Sequence, residues 1–127
     1  MIFGIGTDLV HIPRMQALLD KHGDKIAKRI LSGAEFDNFE QAVNPAAFLA
    51  KRFAAKEAAA KALGTGFRDG LSLRHIAVEN NKLGKPELTF HQRGLEILQE
   101  LNIGQSLVSL SDEKDYALAF VTLMESE

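Results

Sequence analysis

The 127-residue chain has no cysteine, no tryptophan, one tyrosine and three prolines. Without cysteine there is no disulfide scaffold, no zinc–thiolate site and no thiol chemistry, and a reducing compartment suits such a chain. An excess of one charge is also missing: 15 basic and 17 acidic residues leave a net charge of −2. That balance argues against a nucleic-acid-coating protein. No apolar run approaches the roughly 20 residues that span a bilayer. Met1 leads directly into Ile-Phe-Gly-Ile-Gly, with no basic segment before an apolar one, so neither a membrane span nor a secretory signal is expected. The expected address is the cytoplasm. What is there is a sequence 46% hydrophobic and 25% charged, and a chain of this size buries roughly two thirds of its unfolded surface. No repeat or low-complexity linker interrupts it, so a single domain over residues 1–127 is expected.

Residues 2–10 read as a strand, and Pro13 suits the first turn of a helix running to about Ile30. A short helix is expected around Ala34–Ala42. Residues 45–63 form the clearest helix, with nine alanines among nineteen positions and Pro45 at its start. Gly64, Gly66 and Gly70 mark a loop. Leu71–Glu79 and Glu87–Phe90 read as strands joined by a turn, and His91–Leu101 as a helix. Ser106–Ser111 and Tyr116–Met124 read as strands joined by a polar turn. The order predicts an α+β fold, a mostly antiparallel sheet packed against a helical block.

In the first strand, Asp8 shares a face with Ile2, Gly4, Gly6 and Val10. Two glycines on one face leave a groove that another backbone can enter. The alanine-rich helix is the candidate to fill it: Glu57 shares a stripe with Ala46, Ala50, Phe53, Ala54 and Lys61, and the opposite side is apolar too. Groove against stripe brings Asp8 and Glu57 to one point. Paired carboxylates repel unless a cation lies between them, and an all-oxygen ligand set favours Mg²⁺. Lys61, one turn past Glu57, is placed as a point charge for phosphate. Taken singly, Glu57–Lys61 is also an ordinary i,i+4 surface pair, and Asp8 an ordinary cap.

Residues 14–29 carry five basic and two acidic side chains on a chain that is acidic overall. Arg14, Lys21, Lys25, Lys28 and Arg29 form one arc with Leu18 inside it, while Met15, Leu19, Ile26 and Ile30 form the core arc. A basic patch around an apolar anchor steers an acidic protein partner; the alternative is a solvated helix face. Gly64-Thr65-Gly66 has the wrong spacing for a P-loop and follows a helix C-terminus, where termination explains Gly64. The four histidines show no metal-ligand spacing.

Gly4–Val10, Lys51–Gly66, Gly84-Lys85-Pro86 and Ser109-Leu110-Ser111-Asp112…Tyr116-Ala117 together resemble the bacterial holo-[acyl-carrier-protein] synthases of the 4′-phosphopantetheinyl transferase superfamily. The resemblance covers nearly the whole chain. It implies transfer of the phosphopantetheine arm of coenzyme A to a serine of apo acyl carrier protein, releasing adenosine 3′,5′-bisphosphate, as fatty acid biosynthesis requires. It also implies Mg²⁺ and a homotrimer with active sites between subunits, and no nucleic-acid or membrane partner. Asp8 and Glu57 match the family's metal ligands and Lys61 its phosphate-contacting lysine, the three together forming the catalytic set. Arg14, Leu18, Lys21, Lys25 and Lys28 match the carrier-docking helix. Arg52, Lys56, Lys61, Gly64, Lys85, Pro86 and Ser111 match segments lining the coenzyme A cleft. Asp112 stands where many members carry histidine. Two other readings use the same residues: a Mg²⁺-dependent phosphodiesterase with water as acceptor, and a non-catalytic module that binds an acidic helical protein.

Overall fold

The alternating residues at the start of the chain form β1 (Ile2–His11), and Pro13 sits in the first turn of α1 (Ile12–His22). The computed structural model describes all of residues 1–127. Where the sequence suggested one helix to Ile30, there are two: α2 (Asp24–Ile30) follows a break at Gly23. Gly23 has φ +60°, which a residue with a β-carbon rarely adopts, and its N–H closes α1 on the Leu19 carbonyl at 2.7 Å. α3 (Gly33–Glu40) starts with a reciprocal cap between Ser32 and Glu35. α4 (Pro45–Leu63) has the expected bounds. Asn44 accepts from the Ala47 N–H at 3.2 Å at its start, and left-handed Gly64 (φ +84°) ends it.

The expected strand over Leu71–Glu79 is only half a strand. Leu73–His75 form a 3-10 turn, held where the Ser72 N–H donates to His75 Nδ1 at 3.1 Å, and β2 spans Ile76–Asn80. β3 (Pro86–Phe90) and α5 (Arg93–Glu100) follow. The last hairpin, β4 (Ile103–Glu113) and β5 (Tyr116–Glu125), is longer than propensity suggested. Gln105, Asp112 and Glu113 are weak strand formers, yet each pairs with β5.

The strands form two sheets rather than one: β1-β5-β4 and the separate hairpin β2-β3, with every pair antiparallel. α4 lies across the larger sheet, and its nine alanines are all buried. The glycine groove is filled as expected, but one stripe over. A β-carbon on Gly6 would meet the Ala58 carbonyl oxygen at 2.0 Å, and one on Gly4 the Ala62 carbonyl oxygen at 2.1 Å. It is therefore the helix backbone at Ala58 and Ala62, not the Glu57 stripe, that seats in the groove. Ala54–Leu63 join β2, β3, α5, β4 and β5 in one core, while Ala46–Ala50 join α1, α2 and α3 in a second. The other face of the larger sheet is uncovered, with Ile5, Leu9, Leu118 and Phe120 all exposed. No helix is long and apolar enough to cross a membrane.

Candidate active site

Seating α4 on β1 fixes where its next side chains go. Glu57 precedes the Ala58 contact, and Lys61 precedes the Ala62 contact. Lys61 Nζ donates to Asp8 Oδ1 at 3.0 Å and to the Thr7 carbonyl at 2.9 Å. Asp8 and Glu57 line one cavity of about 580 Å³ with Phe53, Arg14 and Arg29. Burial raises the Glu57 pKa above its ordinary value; the Asp8 charge raises it further, and Lys61 opposes the rise. The three residues expected to act together are thus brought together.

The cavity sets the two carboxylates and the basic Arg14 and Arg29 among apolar walls that include Val10, Met15, Leu18 and Phe53. The sequence reading left no histidine nearby, but His11 lines the same cavity, with its ring 5.2 Å from that of Tyr116. No three of the His, Cys, Asp and Glu side chains cluster as a metal cage. The oxygen donors that line the cavity with acidic side chains are the two carboxylates. Hard oxygens that leave most coordination positions to water or phosphate fit Mg²⁺, and two like charges at one point favour a cation between them.

The cleft residues divide. Arg52 lines a second, smaller cavity of about 260 Å³ with Phe48, Lys51, Gly84, Pro86 and Asp112. Its guanidinium lies 4.6 Å from the centre of the Phe48 ring, and its Nε is buried without a hydrogen-bond partner. Burial lowers the Arg52 pKa, against the pull of Glu35 3.8 Å away. Lys85 and Ser111 are exposed neighbours of this cavity in sequence but do not line it. Gly64 lines neither cavity; its observed role is to cap α4.

Lys56 is a correction. It has no exposed surface and cannot face a cleft in this fold. Its ammonium donates to Glu35 Oε1 at 2.7 Å, to the Leu73 carbonyl at 3.0 Å and to the Ile76 carbonyl. Glu35 also accepts from the Val78 N–H at 2.9 Å. Burial lowers the Lys56 pKa, and Glu35 counters it. Sequence reasoning missed Glu35, although Ser32-x-x-Glu35 is a legible capping box.

On the basic segment, the break at Gly23 divides the expected arc between two helices. Arg14, Leu18 and Arg29 line the carboxylate cavity, and Leu18, His22, Lys25, Ile26 and Arg29 line an adjoining one. Lys21 is exposed but lines neither. Lys28 points elsewhere, with its ammonium 5.4 Å from the centre of the Phe36 ring on α3. Lys51, Asp112 and Arg29 are further site-lining residues. No spacing in the sequence marks Lys51 and Asp112 as neighbours, since they are 61 positions apart.

Comparison with known proteins gives a consistent answer. Residues 4–121 match the model of the 4′-phosphopantetheinyl transferase superfamily. A holo-[acyl-carrier-protein] synthase of Nitrosococcus oceani is 55% identical over 124 residues, 98% of this chain and 80% of its own. The crystal structure of the Neisseria meningitidis holo-[acyl-carrier-protein] synthase superposes with a TM-score of 0.94 at 46% identity, covering 98% of this chain and all (100%) of that one. That of the Bacillus anthracis enzyme, in complex with coenzyme A (3′,5′-ADP), has a TM-score of 0.83 at 34% identity and covers 99% of each chain. With this fold, this carboxylate–lysine site and matches along almost its whole length, the chain belongs to the holo-[acyl-carrier-protein] synthase family of the 4′-phosphopantetheinyl transferase superfamily.

Proposed function

We propose that the protein transfers the 4′-phosphopantetheine arm of coenzyme A to a serine of an apo acyl carrier protein, with Mg²⁺ bound between Asp8 and Glu57 and adenosine 3′,5′-bisphosphate as second product. The observation that carries this reading is that Asp8 and Glu57 line one cavity bordered by basic α1 and α2, with Lys61 bonded to Asp8. The serine oxygen attacks the β-phosphorus, the bond from that phosphorus to the bridging oxygen breaks, and the bisphosphate leaves with the electron pair. Mg²⁺ held by Asp8 and Glu57 would supply positive charge to the reacting diphosphate. Lys61 adds a fixed ammonium on the same side, where charge builds as the bond breaks. Glu57, which lines the cavity beside Asp8, takes the serine proton. Arg14, Leu18, Lys25 and Arg29 border the approach and hold the acidic carrier.

Coenzyme A carries a further phosphate and a base, and the cavity of Lys51, Arg52, Phe48 and Pro86 supplies cations and apolar surface for that end. Asp8 lies on β1 and Asp112 on β4, at opposite edges of the larger sheet. This separation supports sites shared between protomers of a trimer, and the uncovered apolar sheet face supplies surface for the assembly. The cytoplasm, where fatty acid biosynthesis draws on both substrates, is the compartment this activity calls for.

One assay tests the activity: coenzyme A with and without apo carrier and Mg²⁺, followed by the mass of the carrier. Holo carrier formed only with all components supports the proposal. Coenzyme A cleaved without carrier makes the protein a hydrolase. Carrier bound without modification makes it a binding module. Glu57→Gln abolishes turnover while coenzyme A still binds; near-normal rates in that variant reject Glu57 as base. Mixing inactive Glu57→Gln and Arg52→Ala protomers restores activity if sites are shared, and leaves none if each protomer holds a whole site.

A further inference from the structure

Within the Arg52 cavity one feature opposes an anion. Asp112 at the end of β4 places a carboxylate against Lys51 on α4, Nζ to Oδ1 3.7 Å, and both line the cavity. The two side chains are 33% and 43% exposed. A pair this wet adds little to stability, so holding the fold is not what it contributes. Its geometry is that of a weak, exchangeable contact. Arg52, beside it, is buried and already faces the Glu35 carboxylate 3.8 Å away, although its Nε makes no hydrogen bond; Lys51 is the cation of this cavity that can change partners. The cavity thus holds two cations, each facing a carboxylate, and of the two pairs only Lys51–Asp112 is open to solvent.

Lys51 lies six residues before Glu57, about 9 Å along the helix axis at 1.5 Å per residue. Lys51 is thus set apart from the carboxylates of its own chain, and the cavity it lines suits the nucleotide end of coenzyme A. On the reading of function given above, on which this inference rests, the anion at that end is the 3′-phosphomonoester of coenzyme A, a dianion that the bisphosphate product keeps.

We propose that Asp112 sets the affinity of this nucleotide subsite: it holds Lys51 when the cavity is empty and opposes the 3′-phosphate when it is full, so that the bisphosphate product leaves readily. Lys51 must leave Asp112 to reach the phosphate, and returns to it when the product departs. Asp112 is a specificity-determining residue that acts through Lys51 and through its own charge. Its effect is confined to ligands carrying the 3′-phosphate.

Calorimetric titration of the whole protein with coenzyme A, dephospho-coenzyme A and adenosine 3′,5′-bisphosphate tests this. Asp112→Asn tightens binding of coenzyme A and the bisphosphate roughly three- to tenfold, the effect of one nearby charge on a dianion in a wet site. Dephospho-coenzyme A moves less than about twofold, because it lacks the group concerned. Lys51→Ala weakens coenzyme A, and in that background the gain from Asp112→Asn shrinks. An Asp112→Asn variant that binds all three ligands as the parent does, or shifts all three equally, overturns the inference. A parent protein that binds none of them overturns the reading of function instead.

Discussion

A β-carbon on Gly6 would stand 2.0 Å from the carbonyl oxygen of Ala58, the residue that follows Glu57. At this position strand and helix touch backbone to backbone, and that contact sets the spacing between the two site carboxylates. Gly6→Ala must push α4 and β1 apart, with a stability loss of about 2–3 kcal/mol or more. Because Asp8 moves with the strand, kcat/KM falls over tenfold beyond what the unfolded fraction explains. Gly33→Ala is the control: its β-carbon meets nothing within 4 Å, and stability changes by less than about 1 kcal/mol. Urea unfolding and steady-state rates on the three proteins check both statements.

Glu57 predicts opposite signs for stability and activity. Its pKa lies above the ordinary 4.5 through burial first and the Asp8 charge second. A raised folded value means the stability it contributes is complete below 4.5 and is lost as pH rises through the folded value. The metal-free parent therefore becomes less stable than Glu57→Gln as pH rises to 7. The difference stays below about 1 kcal/mol because water screens a part-exposed group. Turnover needs the ionised form, so kcat falls with acidification, and a bound cation moves that fall to lower pH than in the metal-free protein. Adding MgCl₂ raises the Tm of the parent at pH 7 and leaves that of Glu57→Gln nearly fixed, as thermal melts with and without the ion would record.

Lys56 and Glu35 tie α3, α4 and β2 together inside the protein. Lys56→Met leaves the buried Glu35 carboxylate with only the Arg52 guanidinium, 3.8 Å away, as counter-charge and costs about 3–5 kcal/mol. Adding Glu35→Gln recovers part of that loss, because a neutral amide needs no counter-charge. A double-mutant cycle by urea unfolding reads the coupling. Additive losses would mean that the two do not act as a pair.

Arg14 and Lys25 sit on different helices but on adjoining cavities. Reversing both charges raises the KM for the carrier at least about tenfold and steepens no salt dependence; it flattens it, since steering is lost. Coenzyme A affinity stays within about twofold. A parallel Lys28→Glu variant has a smaller effect, because Lys28 is turned toward Phe36.

Much of this site was legible because it rests on patterns with a period. Alternation put Asp8 on the glycine face, and helical spacing put Lys61 one turn past Glu57. The bounds of α4 followed from proline, alanine and glycine chemistry alone. What could not be read is what depends on a single dihedral angle or on a distant partner. Gly23 turned one expected helix into two, which separated Lys28 from the arc. Lys56, in a motif rich in charge, looked like a cleft residue until Glu35 appeared beside it from 21 positions away. The contact of Lys51 with Asp112 depends on β4 running beside α4, which no local pattern specifies.

The strand that carries Asp8 is the first in the chain, and within its sheet it bonds only to the last. While the protein is being synthesised, β1 has no edge to pair with until β5 has left the ribosome. The glycine groove and the helix that fills it are both made early, but the ladder that anchors them arrives at the end. A nascent or C-terminally clipped chain lacking β5 would leave Asp8 on an unpaired strand beside an alanine helix with one side bare. Such a fragment has the sticky surfaces that lead to aggregation. Proteolysis at the C-terminus therefore removes function abruptly rather than by degrees.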